Sequence, residues 1–99
     1  MTARILVVDD VAANLKILKA RLVAEYFDVV TVSDGRRAID ICRHENIDLV
    51  LLDVLMPGLN GFEVCRFLKS DPLTMHIPVI MLTARVSEDD KLDGLDRGA

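Results

Sequence analysis

The sequence predicts an α/β protein built on a doubly wound parallel sheet, and three observations carry that prediction. Four short apolar runs, Ile5 to Val8, Val29 to Val32, Leu49 to Leu52 and Val79 to Leu82, alternate with segments whose apolar residues recur at helical spacing. Three of the runs are unbroken and the second is interrupted only by Thr31, the pattern of strands covered on both faces. Two of them drive directly into carboxylates, Asp9-Asp10 and Asp53, which places acidic groups at strand carboxyl ends, where open α/β sheets bind their ligands.

Strand one is Arg4 to Val8. In the helix that follows, Val11, Leu15, Leu18 and Leu22 recur at steps of four, three and four and form one face, with Lys16, Lys19 and Arg21 away from it. Asp10 is placed to cap this helix, since its carboxylate lies beside free backbone N–H groups. Val29 to Val32 is strand two, and Ser33-Asp34-Gly35 turns the chain into a second helix over 36–44 with Ala38, Ile39 and Cys42 inward. The central strand ends at Asp53. Pro57-Gly58 and Asn60-Gly61 then supply the fixed and permissive φ of a sharp loop. Helix three covers about Phe62 to Lys69, with Phe62, Cys65 and Leu68 spaced to face the sheet, and Asp71-Pro72 ends it. Strand four, Val79 to Leu82, runs into Thr83, and Ser87-Glu-Asp-Asp90 opens a fourth helix that Gly98 stops.

Ninety-nine residues allow one domain. Hydrophobic residues make up 52% with only three Phe and one Tyr, so the core is aliphatic, and the net charge of −4 leaves no basic patch for nucleic acid. No apolar stretch approaches the roughly 20 residues that span a bilayer, and 1–6 lack the features of a secretion signal. A cytoplasmic protein is expected, with Cys42 and Cys65 as buried reduced thiols. His44 and His76, in or beside loops and far apart in sequence, read as solvated.

If strands one and three are neighbours, Asp9, Asp10 and Asp53 converge. Like charges that close raise one another's pKa unless a cation joins them. A hard divalent ion with oxygen ligands, most often Mg²⁺ held by carboxylates, waters and a phosphate, is the natural solution. For Asp10 alone a helix cap would be the plainer role, but the three acids together favour a metal site.

Asp9-Asp10 after the first strand, Asp53 after the third with Met56-Pro57-Gly58 and Asn60-Gly61 behind it, and Thr83-Ala84 after the fourth resemble the receiver domain of two-component response regulators. The resemblance covers the whole chain in order. More narrowly, Asp10-Val-Ala-Ala-Asn14, Ala24-Glu25-Tyr26 and Phe62-Glu-Val-Cys-Arg66 resemble the receivers at the front of PleD-type diguanylate cyclases, which make cyclic-di-GMP.

The resemblance implies a flavodoxin-like fold of strand order 2-1-3-4-5 in a single domain over 1–99. It implies that Asp53 takes a phosphoryl group from the phosphohistidine of a histidine kinase or histidine phosphotransfer protein. Asp10, Asp53, Asp9 and the carbonyl of Leu55 would hold Mg²⁺, and Thr83 would be the switch hydroxyl. Two residues past Asp53, the apolar side chain of Leu55 cannot hold a water in line, so slow hydrolysis of the acyl phosphate is expected. The family's fifth strand, with its Lys-Pro, and its last helix are not in these 99 residues. Strand four is therefore expected at an edge, in a domain that is incomplete at its C-terminal side or that finishes its sheet as a homodimer.

Three rival readings stand beside this one. An aspartyl-nucleophile phosphatase would need a carboxylate where Leu55 stands. A flavodoxin or nucleotide-binding domain would need a Gly-rich phosphate loop, and none appears. A pseudo-receiver, an interaction module that never carries phosphate, is the third.

Overall fold

The computed structural model of the chain describes residues 2–56 and 58–82. Its elements alternate as β1 (Arg4–Val8), α1 (Ala12–Ala24), β2 (Asp28–Val32), α2 (Gly35–His44), β3 (Leu49–Asp53), α3 (Gly61–Ser70) and β4 (Val79–Leu82). All pairings are parallel and the strand order is β2-β1-β3-β4. This is the doubly wound sheet the sequence predicts. Right-handed crossovers put α1 on one face of it, and α2 and α3 together on the other.

The main core lies under α2 and α3. Leu6, Val8, Val50 and Leu52 point from the sheet into a cluster with Ala38, Cys42, Val64, Leu68 and Ile77, each almost wholly buried. On the opposite face Ile5 and Val7 are covered, yet the cover thins toward β3 and β4. Leu49 and Leu51 are half-buried and Ile80 is 42% exposed. Among the described residues the unbroken apolar run of β3 is therefore sealed on one face only, since α1 rests against β1 and β2. None of Leu15, Leu18 and Leu22 is fully buried, and Val11 is exposed.

Helix ends follow local chemistry. The Asp34 carboxylate accepts from the N–H of Arg36 and starts α2, and Asn60 and Glu63 form a reciprocal capping box at α3. Helix three differs from the expected stripe. Gly61, Val64 and Leu68 are its buried residues, while Phe62 and Cys65 are half-buried, because Gly61 presses on the backbone of Asp53 and Val54 and turns its own face inward. Cys65 is correspondingly less buried than predicted. Burial pushes the Cys42 thiol up to about 11, so that cysteine stays a protonated core residue at neutral pH.

The segment between α3 and β4 is tied down along its length. Asp71 Oδ1 accepts from the N–H of Leu73, and the Asp71 carbonyl accepts from Thr74 and Met75. The Thr74 hydroxyl donates to the Leu68 carbonyl at 2.6 Å, Lys69 Nζ donates to the Ile77 carbonyl at 2.6 Å, and Arg43 pairs with Asp71. Thr83 and the expected fourth helix lie outside the described residues.

Candidate functional site

Register builds the site. Val8 lies opposite Leu52 in the β1–β3 ladder, so the residues that follow, Asp9 and Asp53, leave adjacent strands at one level. Both are buried, 5% and 3% exposed, while the next residue, Asp10, is exposed. One carboxylate oxygen from each of the three lies within 4.8 Å of the others. The convergence read from the sequence is present.

The loop behind Asp53 is held close by a glycine. Gly61 donates its N–H to the Val54 carbonyl at 3.1 Å, and a Cβ at this position would sit on the Asp53 carbonyl oxygen and 2.7 Å from Val54 Cα. Only a residue without a side chain lets the start of α3 approach the end of β3 so closely. Gly58 adds a left-handed φ of 75°, which glycine adopts without strain.

The three carboxylates are tethered unequally. Asp9 is held at both oxygens, Oδ1 by the N–H of Val11 at 2.9 Å and Oδ2 by Nδ2 of Asn14 at 3.0 Å. Asp53 is held at Oδ1 by the N–H of Leu55 at 3.3 Å. Among the described residues no hydrogen-bond donor reaches the carboxylate of Asp10. The expected cap by Asp10 is thus replaced. Val11 is the N-cap of α1 without a side-chain bond, and it is Asp9 that turns back to the first turn.

Burial raises the Asp53 carboxyl above its ordinary value. The Leu55 N–H works against that, and the neighbouring charges of Asp9 and Asp10 and a side-chain hydrogen bond with Asp9 push it further up. No ion pair among the described residues reaches any of the three acids. Crowded oxygen donors with no cation of their own fit a hard divalent ion such as Mg²⁺. Leu55 stands two residues past Asp53 and is half exposed.

Other polar groups lie elsewhere. His44 and His76 line a hollow with Arg4, Asp28 and Asp48 at the amino ends of the strands. A cavity of about 920 Å³ lies between α2 and α3 beside the Arg43–Asp71 pair and includes none of the three acids. Sequence reasoning missed Asn14 as a partner of the site. The signal was its place five residues after Asp9, one turn into α1.

Comparisons with known proteins agree with this architecture. Residues 5–99 match the family model described as the response regulator receiver domain. The chain is 52% identical over 99 residues to the response regulator PleD of Caulobacter vibrioides, covering all of this chain and 22% of that protein. It is 43% identical over 99 residues to the DNA-binding response regulator MtrA of Mycobacterium tuberculosis, again covering all of this chain and 42% of that one. A putative response regulator from Chloroflexus aurantiacus superimposes with a TM-score of 0.87 at 29% identity, covering 100% of this chain and 81% of that one.

Proposed function

The chain belongs to the response regulator receiver domain family of two-component systems, and from that membership and the acidic cluster we propose that Asp53 is its phosphoacceptor. The observation that carries this is the burial of Asp53, 3% exposed, at the end of a central strand with the oxygens of Asp9 and Asp10 within 4.8 Å.

A phosphoacceptor must present an ionised oxygen at a fixed angle. The Leu55 N–H on Oδ1 sets the rotation of the Asp53 carboxylate. Its oxygen attacks the phosphorus of phosphohistidine on a histidine kinase or histidine phosphotransfer protein. The new P–O bond forms as the P–N bond breaks, and the imidazole leaves with a proton. Mg²⁺, held by Asp9, Asp10, Asp53 and the Leu55 carbonyl, would neutralise charge shared between the carboxylates and the transferring group. Asp9 and Asp10 therefore serve to gather positive charge beside a nucleophile that burial and like charges make costly to ionise. The apolar, half-exposed side chain of Leu55 offers no group to orient water against the acyl phosphate, in keeping with a long-lived signal. Thr83 is assigned as the switch hydroxyl by the family motif.

The chain spans about a fifth of PleD, 22% of its length, and the output coupled to this receiver is proposed on that likeness to be cyclic-di-GMP synthesis. The test is incubation with Mg²⁺ and a small acyl phosphate, followed by mass measurement. One added phosphoryl group, labile to acid and hydroxylamine and absent in Asp53→Asn, is expected. No incorporation by the wild-type chain, or incorporation that survives Asp53→Asn, would overturn the assignment and favour a phosphate-independent interaction module.

A further inference from the structure

Among the described residues, Asn14 is the one side chain from outside the acidic cluster that donates a hydrogen bond into it. It makes Asp9 the one member of the three whose two oxygens each accept from an N–H group, against one such oxygen in Asp53. We propose that Asn14 is a positioning residue that presets Asp9 as the fixed ligand of a divalent cation. This rests on the reading of the cluster as a cation site.

A carboxylate offers about four lone-pair directions. The Val11 N–H takes one on Oδ1 and Asn14 takes one on Oδ2, and both donors belong to the start of α1. Rotation about the Asp9 side chain would break both bonds, so its plane is set before any ion arrives. The remaining lone pairs are those left for the space shared with Asp10 and Asp53, the only other described acids in the cluster. The ion then meets one fixed ligand, one partly held and one free to swing from the exposed side.

The chemistry of the amide suits this task. Against a carboxylate, which accepts only, the nitrogen end of Asn14 must face Asp9. It supplies a donor without a charge, so it orients Asp9 and leaves its negative charge for the cation. A lysine at this position would also orient Asp9 but would neutralise it. The helix itself does not need this side chain, since the backbone N–H groups of Asn14 and Leu15 already bond to the Val11 carbonyl.

The test compares Asn14→Leu and Asn14→Lys with the wild-type chain. Affinity for Mg²⁺ alone is read by titration calorimetry, and metal-free stability by thermal unfolding in chelator. Asn14→Leu should bind Mg²⁺ about tenfold more weakly, as when the partner of a metal ligand is removed. Asn14→Lys should bind still more weakly while its metal-free form melts no lower than wild type. A merely structural role would make affinity follow stability, so Lys would bind as well as wild type. That result, or unchanged affinity in Asn14→Leu, overturns the role of Asn14 alone. A wild-type chain that binds no Mg²⁺ overturns the cation site and this assignment together.

Discussion

The two ends of the sheet each gather three carboxylates, and they treat them in opposite ways. At the amino ends of the strands, Arg4 donates from Nε to Asp28 and from Nη1 to Glu45, both at 3.0 Å, while its backbone N–H donates to Asp48 at 2.8 Å. At the carboxyl ends, Asp9, Asp10 and Asp53 face one another with no cation among the described residues, and two of them are buried. The first end is exposed and settled. The second is mostly buried and unsettled, and arrangements of that kind cluster at functional sites. The lesson is that the count of acids at a sheet edge says little; what marks a site is whether their charge is already answered.

Four measurements would break or sharpen this contrast. The largest effect is expected from Asp10→Asn, which removes one charge from the unsettled end. Mg²⁺ affinity should fall about a hundredfold, roughly 3 kcal/mol at 1.4 kcal/mol per tenfold, with the fold intact or firmer because repulsion is relieved. Calorimetric titration showing unchanged affinity would mean the three acids do not act as one site.

Next is Gly61→Ala, which forces a methyl group against the Asp53 carbonyl and Val54 Cα. A loss of about 2 kcal/mol in denaturant unfolding is expected from overpacking against backbone, together with weaker Mg²⁺ binding. A variant as stable as wild type would show that the junction of β3 and α3 can yield.

Asp53→Asn tests the cost of the buried charge. The Asp53 carboxyl is raised in the folded protein, so its contribution favours folding below the ordinary carboxylate value and is lost as pH rises through the raised one. At neutral pH in chelator the variant should therefore be more stable, by on the order of 1 kcal/mol as single buried-site changes commonly give. The gain should shrink to nothing in acid. A gain that persists at low pH would assign it to packing instead.

The smallest effect belongs to the settled end. Arg4→Gln removes two ion pairs whose arginine is 37% exposed, and should cost about 0.5 kcal/mol or less with less effect still in high salt. Mg²⁺ affinity should not change. A larger loss would mean that the acids of the amino end depend on Arg4 more than its exposure implies.

Much of this was legible in the sequence because it follows from period and punctuation. The strands, their order by family likeness, and the convergence of Asp9, Asp10 and Asp53 needed only apolar runs ending in acids. Helix three was turned by one residue because the pattern alone does not say that Gly61, rather than Phe62, is the first residue pressed on the sheet; that depends on a backbone contact with Asp53. Asn14 was hidden for a related reason. Its role depends on the rotation of α1 against β1, which its spacing from Asp9 does not by itself fix. The unequal cover of β3 was also illegible, since an apolar run looks the same whether one helix layer or two lie over it.

The bonded segment between α3 and β4 has a consequence for how the molecule meets proteases. Leu73 and Met75 are exposed, 56% and 54%, and would serve as cleavage positions on chain geometry alone. Yet a protease must draw out a run of extended backbone, and here that would require releasing the Thr74 hydroxyl from Leu68, Lys69 from the Ile77 carbonyl and Asp71 from Arg43 together. Cutting at this surface loop should thus report opening of the α3–β4 unit as a whole, and its rate should rise and fall with the stability of the buried core beneath it.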